Sequence, residues 1–157
     1  MQQLAVTPWD IMISNPPYVS EDVWQHGRGQ LGYSVRKYEP RLALVPNNDL
    51  PCPSGCNPAD VFYARLLDIS ELLKPKAVLL EIGDENQARR VLQLYFAHPS
   101  AQSSTAEIWR DWPDLGETED TELTVSIGGS EGEARRVPVK GDGLIRSVMI
   151  RNSDGAK

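Results

Sequence analysis

At 157 residues, with 40% hydrophobic and 24% charged residues, the chain has the size and make-up of one ordinary globular domain. A net charge of −6 gives it no overall attraction for a polyanion such as nucleic acid, although Arg36, Lys37 and Arg41 lie close enough in sequence to form a local basic patch. No apolar run approaches the roughly 20 residues that span a bilayer, and residues 1–10 have neither the basic start nor the apolar stretch of a signal or transit peptide.

Ile11, Met12 and Ile13 form a short apolar run that stops at Ser14, Asn15, Pro16 and Pro17. A short apolar run bounded by breakers predicts a buried strand, and two prolines end its ladder because neither has an N–H. Residues 19–56 have little periodicity and are rich in Gly, Pro and Asn, which predicts a long loop with one short helix. Within it, Gly27, Gly29 and Gly32 fit a dinucleotide-binding spacing, but a polar loop precedes them instead of a strand, so they read as loop glycines. Cys52 and Cys56 lack the further ligands of a zinc site, and His26 and His98 are not spaced to supply them. No metal centre is expected. The cysteines read as reduced loop thiols, with a disulfide or a metal as the alternatives.

Residues 57–73 predict a helix, capped by Asn57 with Pro58 in its first turn, and with Phe62, Leu66, Ile69 and Leu73 as its apolar stripe. Lys74 and Pro75 end it. Residues 77–82 predict a second buried strand closed by Gly83. Asp84 and Gln87 resemble a capping box, and Ala88, Val91, Leu92, Tyr95 and Phe96 form the apolar face of the next helix. Strands are predicted at 105–109 and 144–151. Residues 111–143 are Gly-rich and acidic, and form either a hairpin of 123–127 with 136–139 around Gly128 and Gly129, or an unstructured insertion. Strands alternating with helices predict an α/β fold with a parallel sheet, whose ligands bind beyond the carboxyl ends of the strands. Asn15, Pro16, Pro17 and Tyr18 stand at such an end.

Those four residues suit methyl transfer to an amide or exocyclic amine. The nitrogen lone pair is delocalised, so the NH2 group must be held with nitrogen facing an electrophilic methyl. The Asn15 side-chain oxygen and the Pro16 carbonyl can accept its two N–H bonds. Pro17 stiffens the segment, which lowers the entropic cost of alignment, and Tyr18 can wall a planar group. The plain alternative is a turn, since Asn-Pro and Pro-Pro are common in loops.

The stretch Trp9, Asp10, Ile11, Met12, Ile13, Ser14, Asn15, Pro16, Pro17, Tyr18, Val19 resembles the catalytic strand and loop of the HemK/PrmC family. Tyr38, Glu39, Pro40, Arg41, Leu42, Ala43, Leu44 resembles a second signature of that family. Weaker likeness continues through Phe62-Tyr63, Leu72-Leu73-Lys74-Pro75, Leu79-Leu80-Glu81-Ile82-Gly83, Arg110-Asp111 and Arg146-Ser147-Val148. Ser34 departs from the acid usual before Val35.

The resemblance implies the C-terminal half of a Rossmann-like class I methyltransferase, with parallel strands and a final antiparallel one. It would use S-adenosyl-L-methionine to methylate the glutamine of the Gly-Gly-Gln motif in peptide-chain release factors. Asn15, Pro16, Pro17 and Tyr18 would be catalytic. Asn15, Pro16 and Tyr18 would bind the amide, with Glu39 and Arg41 on a supporting loop beneath. Asn15 would also touch the cofactor. In the family's layout the sequence starts at the fourth strand, which implies that the main cofactor motif lies outside it, in a missing N-terminal half or a partner chain. Residues 1–157 would be a partial methyltransferase domain, with 117–143 an insertion. The release factor is the expected partner, without nucleic acid or membrane. The second signature resembles the bacterial and organellar branch, implying a mitochondrial location or, alternatively, a cytoplasmic one. Two rival functions remain: an adenine amino-group methyltransferase acting on nucleic acid, in which a flipped base stacks on Tyr18, and a non-catalytic release-factor-binding remnant.

Overall fold

The computed structural model describes residues 9–26, 31–116, 121–127 and 133–153. The Gly27–Gly29 part of the glycine spacing, the Gly128-Gly129 turn, and 117–120 of the presumed insertion lie outside those residues, as does most of the 1–10 segment.

Among the described residues, four of the six strands of a single sheet run in one direction. The sheet order is β1-β2-β6-β3-β5-β4. β1 (Ile11–Ser14) pairs in parallel with β2 (Ala77–Glu81), Ser14 lying opposite Leu80. β6 (Asp142–Asn152) runs antiparallel between β2 and β3 (Ser104–Trp112). The predicted parallel sheet with a final antiparallel strand is therefore present. The hairpin also forms, as β4 (Thr121–Ile127) and β5 (Glu133–Lys140). Its β5 joins β3 in parallel at only two positions, Ile108 with Val139 and Trp109 with Lys140. The residue before them in β5 is Pro138, which has no N–H to offer a ladder, and the pairing does not extend past it.

Two helices cover the sheet face that carries Val78, Leu80, Val148 and Ile150. They are α3 (Val61–Leu73), the crossover from β1 to β2, and α4 (Glu85–Ala97). Tyr63, Leu67, Ala88, Val91, Leu92 and Tyr95 complete that core, joined by Leu123, Val125, Val137 and Val139 from the hairpin. Each fully buried Leu contributes about 1.5–3 kcal/mol relative to exposure. Because strand side chains alternate, the opposite face of β1 carries Ile11 and Ile13, both exposed. β1 is the edge of the sheet among the described residues.

The helix ends follow the sequence signals. Asn57 accepts the Ala59 N–H at 2.9 Å, capping a short 3-10 turn (Pro58–Asp60) that leads into α3. Lys74 adopts a left-handed φ of 49°, its N–H bonded to the Ser70 carbonyl, and Pro75 prevents continuation. Asp84 caps α4 by accepting the Gln87 N–H at 2.7 Å.

The strand expected to be buried at 11–13 is instead an edge strand, with Ile11 and Ile13 exposed and Met12 half-buried, because only its Met12 face meets the core. Two further expectations need correction. The buried face of α3 is Tyr63, Leu67 and Ser70, whereas the expected stripe turns outward, with Ile69 exposed and Phe62, Leu66 and Leu73 half-buried. Both sets have helical spacing, so periodicity could not separate them. The chosen face packs Tyr63 and Leu67 into the core, where the Tyr63 hydroxyl also finds a partner by donating to the Glu81 carbonyl at 2.7 Å. The second concerns 19–56, whose described residues hold two short α-helices instead of one, α1 (Glu21–His26) and α2 (Tyr33–Tyr38). Six residues give too few turns for a periodic apolar signal.

Candidate amide-binding site

β1 ends at Ser14, and the chain then crosses the carboxyl end of the sheet as Asn15, Pro16, Pro17 and Tyr18. Pro16 is buried, Pro17 and Tyr18 are half-buried, and Asn15 is exposed. The segment is fixed at both ends. On one side the β1–β2 ladder holds Ser14 against Leu80. On the other, the Tyr18 hydroxyl donates to Glu81 Oε1 at 3.0 Å, and the Tyr18 carbonyl accepts from Gln87 Nε2 at 3.2 Å. The ring passes so close to Gly83 that a Cβ there would meet it at 3.3 Å. Between these anchors stand two prolines, which leave the segment little freedom. Burial, reinforced by the Glu81 hydrogen bond, raises the Tyr18 pKa, so the phenol stays protonated and donates at neutral pH.

The second signature braces the same loop from outside. The Val19 N–H donates to the Leu44 carbonyl at 2.9 Å, and Arg41 forms an ion pair with Glu21. Glu39 is exposed, and its backbone N–H closes α2 on the Val35 carbonyl. The structure thus brings Arg41 to the chain just after Tyr18 and leaves Glu39 facing solvent. Arg36 and Lys37 stand on α2 beside aromatic rings. Arg36 lies 5.9 Å from the Trp24 ring centroid, and Lys37 lies 5.4 and 5.2 Å from those of Tyr33 and Tyr38.

Two cavities flank the segment. One, about 430 Å³, lies over Ile13, Asn15 and Leu79, with Glu81, Trp109 and Arg146 around it. The other, about 610 Å³, lies between Tyr18 and the start of α4, bordered by Asp84, Asn86 and Gln87. Arg146 reaches both. It is held by Asp111 at 2.7 Å, and Asp111 also accepts the Leu144 N–H at 2.8 Å. The Leu144 N–H bond and the Arg146 guanidinium both hold the Asp111 carboxyl below the usual carboxylate range.

Several contributors were not singled out in sequence. Asp60 gave no local signal, Glu81 and Gly83 were marked only by the strand end and the 79–83 likeness, and Gln87 signalled only a helix cap. Among the described residues no cluster of three or more His, Cys, Asp or Glu side chains forms a metal site. Cys52 Sγ donates to the Cys56 carbonyl, and both thiols are free. Burial and the adjacent Cys52 push the Cys56 thiol up to about 12.

Curated relatives match part of the chain. A release factor glutamine methyltransferase of Bacillus cereus is 33% identical over 93 residues, covering 57% of this chain and 28% of that protein. A probable mitochondrial N(5)-glutamine methyltransferase of Schizosaccharomyces pombe is 33% identical over 93 residues, covering 54% and 26%. A release factor glutamine methyltransferase of Chlorobaculum tepidum is 53% identical over 38 residues, covering 24% and 12%. The match thus spans about a quarter of the length of the first two relatives. No family model and no solved structure matches the chain. Over the part that matches, the chain is thus similar to release factor glutamine methyltransferases, the likeness expected from the 9–19 and 38–44 signatures.

Proposed function

We propose that the 15–18 loop binds a glutamine side-chain amide and that the protein carrying it methylates that amide. The substrate is the Gly-Gly-Gln loop of a peptide-chain release factor. The observation that carries this reading is the two-ended fixing of the loop at the carboxyl end of β1, with Asn15 left exposed. The Asn15 side-chain oxygen and the Pro16 carbonyl accept the two N–H bonds of the amide, leaving its nitrogen lone pair facing outward. Because the backbone that carries these acceptors is anchored at both ends, aligning them with the substrate costs less entropy than on a free loop. Tyr18, a neutral phenol wedged over Gly83, keeps its ring in a single orientation as the wall of the pocket.

The donor of the methyl group in this reading is S-adenosyl-L-methionine. The described residues do not fit it as a complete cradle. Asn15 offers one contact at an edge strand, and beyond β1 there is neither a neighbouring strand nor a glycine turn among the described residues. No step of the reaction is therefore assigned to cofactor contacts within this chain. We read residues 117–143 as an insertion into the family's layout, supported by the way the hairpin joins β3 through only two residue pairs. A mitochondrial location belongs to the same proposal, its support being the name of the fission yeast relative.

The test is a titration of the isotopically labelled chain with a short peptide containing Gly-Gly-Gln, followed at Asn15 and Tyr18. Saturable shifts that vanish in Asn15→Ala and with a Gly-Gly-Glu peptide support the reading. Shifts produced by adenosine or a single-stranded oligonucleotide, with none from the peptide, would replace it with the nucleic-acid alternative.

A further inference from the structure

Gln87 is buried to 3% exposure in the first turn of α4, and its amide is used almost completely. Oε1 accepts the Gly83 N–H at 2.8 Å. Nε2 donates both to the Tyr18 carbonyl at 3.2 Å and to Asp60 Oδ1 at 2.8 Å. Asp60, 1% exposed, is held in turn by Arg90, whose Nη2 donates to Oδ1 at 3.1 Å and whose Nε donates to Oδ2. One carboxamide thus joins the turn after β2, the start of α3 and the loop after β1.

A capping box would send this side chain back to the N–H of the cap residue, Asp84. Here the oxygen goes one residue further, to Gly83, and the nitrogen is free to leave the helix altogether. The combination of contacts is chemically selective. The group must accept from an N–H while donating to a carbonyl and to a carboxylate. Glutamate cannot donate when ionised, lysine cannot accept, and asparagine is one methylene short.

We propose that Gln87 is a positioning residue for the amide site, setting the place of Asn15 and Pro16 through its bond to the Tyr18 carbonyl. This rests on the reading of the 15–18 loop as the glutamine site. Two prolines separate Asn15 from Tyr18, so a displacement at Tyr18 passes along a stiff segment instead of being absorbed by it. Asp60 and Arg90 keep the Gln87 amide oriented, because a carboxylate at Nε2 fixes which end of the amide faces the loop.

The test uses the free chain and two variants. Gln87→Met keeps the volume and removes the hydrogen bonds. Gln87→Asn keeps the amide and cannot reach Tyr18, and it decides the matter if the methionine variant does not fold. Amide hydrogen exchange should rise about tenfold at Val19, whose N–H donates to Leu44 beside the loop, while Leu80 and Val148 in the sheet stay protected. Affinity for the Gly-Gly-Gln peptide should fall by a similar factor. Unchanged exchange at Val19 overturns the proposal. So does an equal loss of protection across β2 and β6, which would make Gln87 a residue of the fold alone. A wild-type chain that ignores the peptide, while its variants still loosen Val19, keeps the loop-positioning role and overturns the glutamine-site reading.

Discussion

The Tyr18 ring lies against Gly83, at a distance where an added Cβ would contact two ring carbons at 3.3 Å and Gln87 Oε1 at 3.2 Å. Gly83 is therefore needed for close approach. Its φ is not in the left-handed region, so a substitution there acts through space and not through backbone strain. Gly83→Ala is expected to displace the ring and stretch the Gln87 bond at a cost of about 1–3 kcal/mol. Urea denaturation reads the stability loss, and the resonances of the Tyr18 ring report the displacement. An alanine variant with unchanged ring shifts would mean that the contact is looser than described.

Asp60 is the buried acid on which Gln87 and Arg90 converge. Asp60→Ala strips Arg90 of its partner and Gln87 of an acceptor. The Arg90 side chain is about a third exposed and can turn to solvent, so the expected cost is at the lower end for a broken buried pair, about 3 kcal/mol. Asp60→Asn keeps an acceptor for Gln87 and should lose less. Equal losses for the two variants in thermal denaturation would show that the charge on Asp60, and not its acceptor role, is what the fold uses.

Acid should loosen the hairpin first. For Glu107, burial raises the pKa, but the hydrogen bonds from Lys140 and Trp109 outweigh it, and the folded value is lowered. A folded value below the unfolded one means that the unfolded chain binds more protons as pH falls. The stabilisation is complete above the ordinary carboxylate range and is lost as pH drops through the lowered folded value. The Lys140–Glu107 pair at 2.7 Å crosses from β5 to β3, where only two residue pairs hold the strands together. As pH falls below the ordinary Glu range of about 4.3 toward the lowered folded value, amide protection at Val137 and Val139 should therefore fall before protection at Leu80. Simultaneous loss at all three sites would count against a separate weakness at this join.

Cofactor affinity is expected to be poor. With β1 at the edge of the described sheet, S-adenosyl-L-methionine meets one wall, and calorimetry on the isolated chain should find binding weaker than micromolar. Micromolar affinity would show that this chain carries a cofactor site of its own.

Thiol labelling should be uneven. The Cys56 thiol, pushed up to about 12, is almost wholly protonated at pH 8, while Cys52 is exposed. Mass spectrometry after brief iodoacetamide treatment should find the label on Cys52. Predominant labelling of Cys56 would contradict its burial beside Cys52.

The sequence by itself determined the local elements and a partial likeness to release factor glutamine methyltransferases. Breakers at Asn15, Pro16 and Pro17 ended β1, Asn57 and Asp84 marked helix starts, and Lys74-Pro75 marked an end, because caps and prolines act on the backbone within a few residues. The pair of signatures at 15–18 and 38–44 carried the likeness to the methyltransferases, and the structure links those segments through Val19 and Leu44. Only the tertiary structure decided which face of α3 is buried, since two faces of helical spacing competed and the one with Tyr63 and Leu67 packs into the core. Tertiary structure alone also joined Tyr18 to Glu81, 63 positions away, and to Gln87, 69 away. Those bonds depend on how β1, β2 and α4 are placed side by side. A pattern of periodicity and caps holds no information about that placement, because it reports only which residues share a turn or a strand face.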